Sequence, residues 1–278
     1  VKRKDATSKR RDVLVQGWDI SLNHGAVVQL RDGELDQYWF YSDKAGSVAR
    51  GKKHGSRVEL PTPTRQPDRH IRSIIRLDWV SRWIERVALA TAPGYIALED
   101  YAIGADQGAH YLGEIGGQAR RLMWAHGVRY RLHDPIAVKL FVAHDATAQK
   151  DLVETCVHDR WGVDFGDCNA VSSGRGKPSR QTSEDLADAF GLAQMAWTEY
   201  RLRKGLLHLS SLHTKEIQVF NRATKAFPIN VLGREWIRNA SEHGRTRLCG
   251  NGRCAVSLLE DRKLISERTV VALSRATR

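Results

Sequence analysis

The chain has 278 residues, 41% of them hydrophobic, with 44 Lys and Arg against 32 Asp and Glu, a formal net charge of +12. That apolar share supports a packed core and excludes a wholly disordered chain, and no uninterrupted apolar run approaches the roughly 20 residues that a membrane helix needs. Four cysteines without a secretory segment exclude a disulfide scaffold and indicate a reducing, cytoplasmic setting.

In chain order, residues 1–12 read as a polar, basic arm. Three strands follow, over 13–21, 25–30 and 36–41, and Asp32-Gly33 marks a hairpin between the second and third. Residues 42–68, rich in Gly, Ser, Pro and basic side chains, read as a long loop with an extra turn or strand near 57–60. Ile71, Ile74, Ile75, Trp79, Trp83, Ile84 and Val87 recur at helical spacing across 69–91, and Pro93-Gly94 ends that helix. A buried strand over 95–99 closes on Glu99. A helix over 106–126, a strand over 128–132, and helices over 136–144 and 147–161 come next, the first of that pair led by Pro135. A Gly/Ser-rich basic loop over 165–181 leads to a helix over 184–204, capped by Thr182 or Ser183. This order predicts an α/β domain over 13–204, a mixed sheet with helices on its faces. Residues 205–278 read as a C-terminal α+β extension, with strand-like pieces at 217–220, 254–259 and 269–273 and a helix-like piece at 233–239.

Positive charge concentrates in 1–12, 42–76 and 205–278, so the remainder is net acidic. That acidic part contains Asp19, Glu99, Asp185 and Asp188. The first two close apolar, strand-like stretches, and the last two sit three apart on one helix face. Buried carboxylates are costly unless something positive sits among them. Together these acids suggest a site for hard divalent cations, framed by a basic, phosphate-binding surface. Hydrolysis with two metal ions needs such a set: one ion activates water and the other stabilises the leaving oxygen. Taken singly, each acid also fits a turn, a cap or a first-turn helix residue.

At these residues the chain resembles the RuvC family of Holliday-junction resolvases, within the RNase H-like superfamily. Gly17-Trp18-Asp19-Ile20-Ser21-Leu22-Asn23-His24-Gly25 is similar to the family's opening strand and turn. Leu98-Glu99-Asp100-Tyr101-Ala102-Ile103-Gly104 resembles the phage-like form of its Glu segment, which implies a bacteriophage or prophage source. Gly113-Glu114-Ile115-Gly116-Gly117 resembles the following helix start, and His133-Asp134-Pro135-Ile136-Ala137-Val138-Lys139 the proline-led stretch before the family's lysine loop. Ala143-His144-Asp145-Ala146-Thr147-Ala148-Gln149-Lys150 matches that loop, although the family usually has glycines where this chain has His144 and Asp145. The segment from Asp185 to Ala193 resembles the closing acidic helix. The likeness covers about 13–200; the 42–68 loop is longer than the family minimum, and 206–278 has no counterpart.

The resemblance implies an RNase H-like mixed five-stranded sheet and a symmetric homodimer that nicks four-way or other branched DNA. It implies two Mg²⁺ or Mn²⁺ ions per site. Asp19 would bridge them, Glu99 and Asp188 would hold one each with Asp185 assisting, and Lys150 would orient water or stabilise the charged transition state. It places Tyr101 near the strand-exchange point, where an aromatic ring can stack on a splayed base or simply pack in the core. Arg175, Lys177 and Arg180, in the loop before the acidic helix, can clamp phosphate or be plain solvated linker residues. Trp79 and Trp83 are either core or a dimer face. Cys249 and Cys254, with His243 and His208 or His213, have irregular spacing for zinc and also read as free thiols. Three other activities compete: a related nuclease acting on flaps, forks or RNA–DNA hybrids, a non-catalytic branched-DNA-binding protein, and a sugar-kinase or actin-like ATPase. The last requires a second phosphate-binding half, and the chain carries no internal repeat.

Overall fold

The structure, a computed structural model, describes residues 12–42, 47–48, 55–59, 68–100, 109–168, 170–171 and 181–239. Its strands and helices run in the order β1 (Leu14–Ile20), β2 (His24–Arg31), β3 (Glu34–Ser42), β4 (Ser47–Val48), β5 (Gly55–Glu59), α1 (Arg69–Thr91), β6 (Tyr95–Glu99), α2 (Ala109–Ala125), β7 (Arg129–His133), α3 (Pro135–Val142), α4 (Lys150–Trp161), β8 (Ala170–Val171), α5 (Gln181–Arg203) and α6 (Thr214–Asn221). The main sheet has the strand order β5-β3-β2-β1-β6-β7. The first three strands form an antiparallel meander, while β6 and β7 run parallel to β1. This is the expected RNase H-like mixed five-stranded sheet with helices on its faces. It is widened by β5, which joins the free edge of β3 in parallel. The extra strand expected near 57–60 in the 42–68 stretch is this edge strand, and the stretch also holds β4, which pairs with β8.

Local chemistry accounts for most boundaries. Asp32 and Gly33 both take positive φ (51° and 96°), the two-residue turn that β2 and β3 require. Asp134 caps α3 by accepting the Ala137 N–H at 2.7 Å, and Pro135 occupies the first turn, where no donor is missed. α4 ends at Gly162, left-handed at φ 67°.

The pleat divides the core. Val15, Ala26, Val28, Leu30 and Ala97 face α5, packing on Leu186, Phe190 and Ala193. Trp18, Val27, Ile96 and Leu98 face the other way, onto Trp83 and Ile84 of α1 and Ile115 and Met123 of α2. Trp83 is 2% exposed and lies edge-on to Tyr41 and Trp18, so it belongs to the core and cannot serve as a dimer face.

α5 lies directly on β1 at Gly17. A Cβ on Gly17 would stand 1.9 Å from the Ala189 carbonyl oxygen and 2.2 Å from the Ala193 nitrogen. On the other side of α5, a Cβ on Gly191 would stand 2.7 Å from a Val142 methyl of α3. Glycine is unfavourable inside a helix or a strand unless a close approach requires it, as it does here.

The expected boundary at 204/205 is corrected. Residues 206–238 pack into the same body, and the compact unit ends at Arg238. Phe220 is fully buried against Phe141. Arg131 of β7, 1% exposed, donates to the Arg234 and Glu235 carbonyl oxygens at 2.9 and 3.0 Å, and Ile237 bridges antiparallel to Tyr130. Two element expectations fall with that boundary. The 217–220 stretch is helical, part of α6, because His213 and Glu216 form a reciprocal cap at its N-terminus. The 233–239 stretch is a turn followed by that bridge, because β7 offers an open edge for Ile237. The basic arm over 1–11 and the strand-like pieces at 254–259 and 269–273 lie outside the described residues.

Gly17→Ala tests the β1–α5 contact. It should lower the denaturant midpoint by an amount equivalent to about 3 kcal/mol or more, because the clash is with backbone and no side chain can rotate away. An unchanged midpoint would show that α5 can move off β1 at little cost.

Candidate active site

Sheet register brings the acids together. Trp18 pairs with Leu98 across β1 and β6, so Asp19 and Glu99 emerge side by side at the same end of two parallel strands. Both lie on the α5 face, in the alternation that buries Gly17 beneath the helix. Trp18 anchors the opposite face, its indole N–H donating to Gln16 Oε1 at 2.9 Å. α5 runs back over β1, with Asp185 and Asp188 in its first turns. Asp185 is 3% exposed.

Lys150, the first residue of α4, reaches both helical acids. Its Nζ is 3.2 Å from Asp185 Oδ1 and 3.7 Å from Asp188 Oδ2. The other Asp185 oxygen, Oδ2, is 2.7 Å from Nδ1 of His24, the first residue of β2. Beneath the site, the Tyr41 hydroxyl donates to the Ser21 carbonyl oxygen. Gly25 leaves room for that hydroxyl, since a Cβ there would stand 2.7 Å from it.

The electrostatics are unbalanced. Burial first, and then the charges of Glu99, Asp185 and Asp188, push the Asp19 carboxyl well above its ordinary range, against a smaller pull from Lys150. Burial and the charge of Asp188 raise Glu99 to about 8, opposed by Lys150 and Lys139. Asp188 rises to about 6, chiefly through burial. Burial alone would push the His24 imidazole down, yet its hydrogen bond to Asp185 and the charges of Asp185 and Asp19 raise it. For Lys150, too, burial is outweighed by Asp185, Asp19 and Asp188, and its ammonium is held charged. Four carboxylates thus face Lys150 and His24, with a further pull from Lys139, and the excess negative charge is relieved by taking up protons or cations.

The donor set suits a hard divalent cation, being made of carboxylate oxygens with surplus charge. No three Asp, Glu, His or Cys side chains among the described residues stand in position to hold a metal ion, and in this structure Lys150 and His24 occupy the Asp185 oxygens.

The structure therefore brings together Asp19, Glu99, Asp185, Asp188 and Lys150. Asp185, read from sequence as an assisting acid, is the hub that holds both cationic side chains. His24 and Lys139 act on the site without having been singled out; both lie in segments quoted for the family resemblance, and only the fold shows that they face the acids. Tyr101, Arg175, Lys177 and Arg180, like Cys249 and Cys254, lie outside the described residues.

No protein-family model matches the chain, and no curated protein matches it. Solved structures similar to it include the RuvC protein of Thermus thermophilus in complex with a Holliday junction substrate, at 18% identity and a TM-score of 0.42, over 69% of this chain and 96% of that one. A second Thermus thermophilus RuvC structure is 19% identical with a TM-score of 0.41, over 69% and 97% of the two chains. At this depth neither likeness assigns a residue or an activity to this chain.

A carboxyl whose folded pKa is raised supports folding only while protonated. For Glu99 that contribution is complete below the ordinary value of 4.5 and lost as pH rises to about 8. In chelator, Glu99→Gln should match the parent in stability near pH 4.5. At pH 8 it should exceed the parent by about 1–3 kcal/mol. Denaturation curves at the two pH values check this, and a difference independent of pH would show that Glu99 does not share the others' field.

Proposed function

We propose that this protein is a metal-dependent endonuclease that cuts phosphodiester bonds in branched DNA, with four-way junctions as its substrate and a homodimer as its working form. The observation that carries this reading is the convergence of half-buried Asp19, Glu99 and Asp188 and buried Asp185 on Lys150, in a chain of net charge +12. A negative pocket in a positive protein suits a substrate that is itself a polyanion held against cations.

Asp19, Glu99, Asp185 and Asp188 would hold the Mg²⁺ or Mn²⁺ ions. When bound, such ions activate water and neutralise charge at phosphorus. The chain's own residues do the rest. Water adds to the phosphorus as the bond to the 3′ oxygen breaks, and the proton that the water gives up ends on that oxygen, leaving a 3′-hydroxyl and a 5′-phosphate. Lys150 stays charged throughout the working range and stabilises negative charge on the phosphoryl oxygens. Its side chain is 44% exposed, which leaves the ammonium free to turn from Asp185 toward a bound phosphate. His24 positions Asp185 by holding one of its oxygens. The two-fold symmetry of a junction calls for two such sites, and Ile71, Ile74 and Ile75 give α1 an exposed apolar face for a second copy.

The test is a cleavage panel of four-way junction, flap and linear duplex with Mg²⁺ or Mn²⁺. Paired nicks near the junction centre are expected. Asp19→Asn should reduce them about 1,000-fold or more, and Lys150→Ala about 10- to 100-fold, with junction binding in chelator retained. Equal cutting of linear duplex would overturn the junction assignment, and undiminished cutting by Asp19→Asn would overturn the active site.

A further inference from the structure

The acids occupy one end of α5. At its other end lies a different surface, where the strands that deliver Glu99 and His133 begin. Tyr95 opens β6 and Arg129 opens β7. With Tyr200, Arg203, Lys204, Glu235, Trp236 and Arg238 they line a groove of about 300 Å³. From Tyr95 to Glu99 the strand covers about 13 Å, so the groove is separate from the acidic site.

Its chemistry is that of an anion site with aromatic walls. Four cations, Arg129, Arg203, Lys204 and Arg238, line it against a single carboxylate, Glu235. Arg203 is spoken for: it donates to Glu199 at 2.7 Å and to backbone carbonyls of 231 and 234. Arg129, Lys204 and Arg238 have no ion pair among the described residues, and Lys204 and Arg238 are exposed. Arg129 lies over the Tyr95 ring, 5.6 Å from its centroid, which fixes where its guanidinium points without neutralising it. Tyr95 is in turn braced by Tyr200 and Trp236, at 5.3 and 5.1 Å between centroids. The Trp236 indole N–H, in a residue 7% exposed, has no acceptor among the described residues. Unpaired cations held on a rigid aromatic base call for a ligand that is anionic and rich in acceptor oxygens.

We propose that this groove is a second nucleic-acid contact, which holds a DNA segment through its phosphates at the end of the sheet opposite the acids. The inference rests on the reading that the protein acts on nucleic acid, but it does not depend on cleavage. Phosphodiester oxygens supply the counter-charge that Arg129, Lys204 and Arg238 lack. Such contacts position DNA and carry no sequence preference.

The experiment measures the affinity of the full chain for fluorescein-labelled duplex and four-way junction in chelator, across a salt series, so that no cutting enters. Replacing Arg129, Lys204 and Arg238 together by Ala should weaken binding about 10- to 100-fold near 0.1 M salt. The slope of log affinity against log salt should become shallower by about 2–3, close to one counterion for each phosphate that the protein no longer neutralises. A control replacing three other exposed cations, Arg86, Arg121 and Lys225, by Ala should leave that slope unchanged. Where the triple variant loses its thermal transition, Lys204→Ala with Arg238→Ala leaves the Arg129–Tyr95 contact in place and should lower the slope by about 1–2. An unchanged slope, or an equal change in the control, overturns the proposal. A shallower slope in a protein that never cuts a junction supports the groove and removes the endonuclease; cutting with an unchanged slope does the reverse.

Discussion

The arrangement of this molecule depends on one contact, backbone against backbone, where α5 crosses β1 at Gly17. There the Ala189 carbonyl and the Ala193 nitrogen take the space that any side chain at 17 would need. This fixes the helix at a depth that ordinary side-chain packing does not reach. Two residues on, the same strand face presents Asp19, and Asp188 stands next to Ala189 on the helix. The closeness of their backbones is thus set by main chain. Burial first, and then the mutual repulsion that this closeness brings, raises Asp19, Glu99 and Asp188.

The same helix shows what a settled charge looks like. Near its far end, Glu199 is fully buried, yet it accepts from Arg131 at 2.5 and 3.1 Å and from Arg203 at 2.7 Å. Every partner there is internal, and the two arginines direct their remaining donors to the carbonyls of 231, 234 and 235. That cluster is closed and holds the chain after α5 onto β7. The acidic cluster at the other end is open, with more negative charge than the protein supplies in return. One fold thus contains a buried ionic group whose role is structural and another whose charge remains to be met from outside.

Much of this was legible in the sequence. The strands ending at Asp19 and Glu99, the Asp32-Gly33 turn and the long helices follow from local patterns that act over a few residues, and the mixed five-stranded sheet follows from the resemblance. What escaped depends on distance along the chain. Arg131 in mid-strand makes sense only with Glu199, which no local window contains. α6 is capped by His213, a residue outside the usual Ser, Thr, Asp and Asn set, so the alternating Ile217, Val219 pattern pointed to a strand. His24 looked like a turn residue until the hairpin register placed it against Asp185. The change in composition after 204 suggested a separate module, but Phe220, Val231 and Trp236 carry the core past it.

α5 also acts as a ruler. Between Asp185 and Arg203 it rises roughly 27 Å. With acids at one end and cations at the other, it spans far more than a nucleotide or any other metabolite-sized molecule. Only a polymer could touch both at once, and B-form DNA, which advances about 3.4 Å per base pair, would need about eight of them to do so.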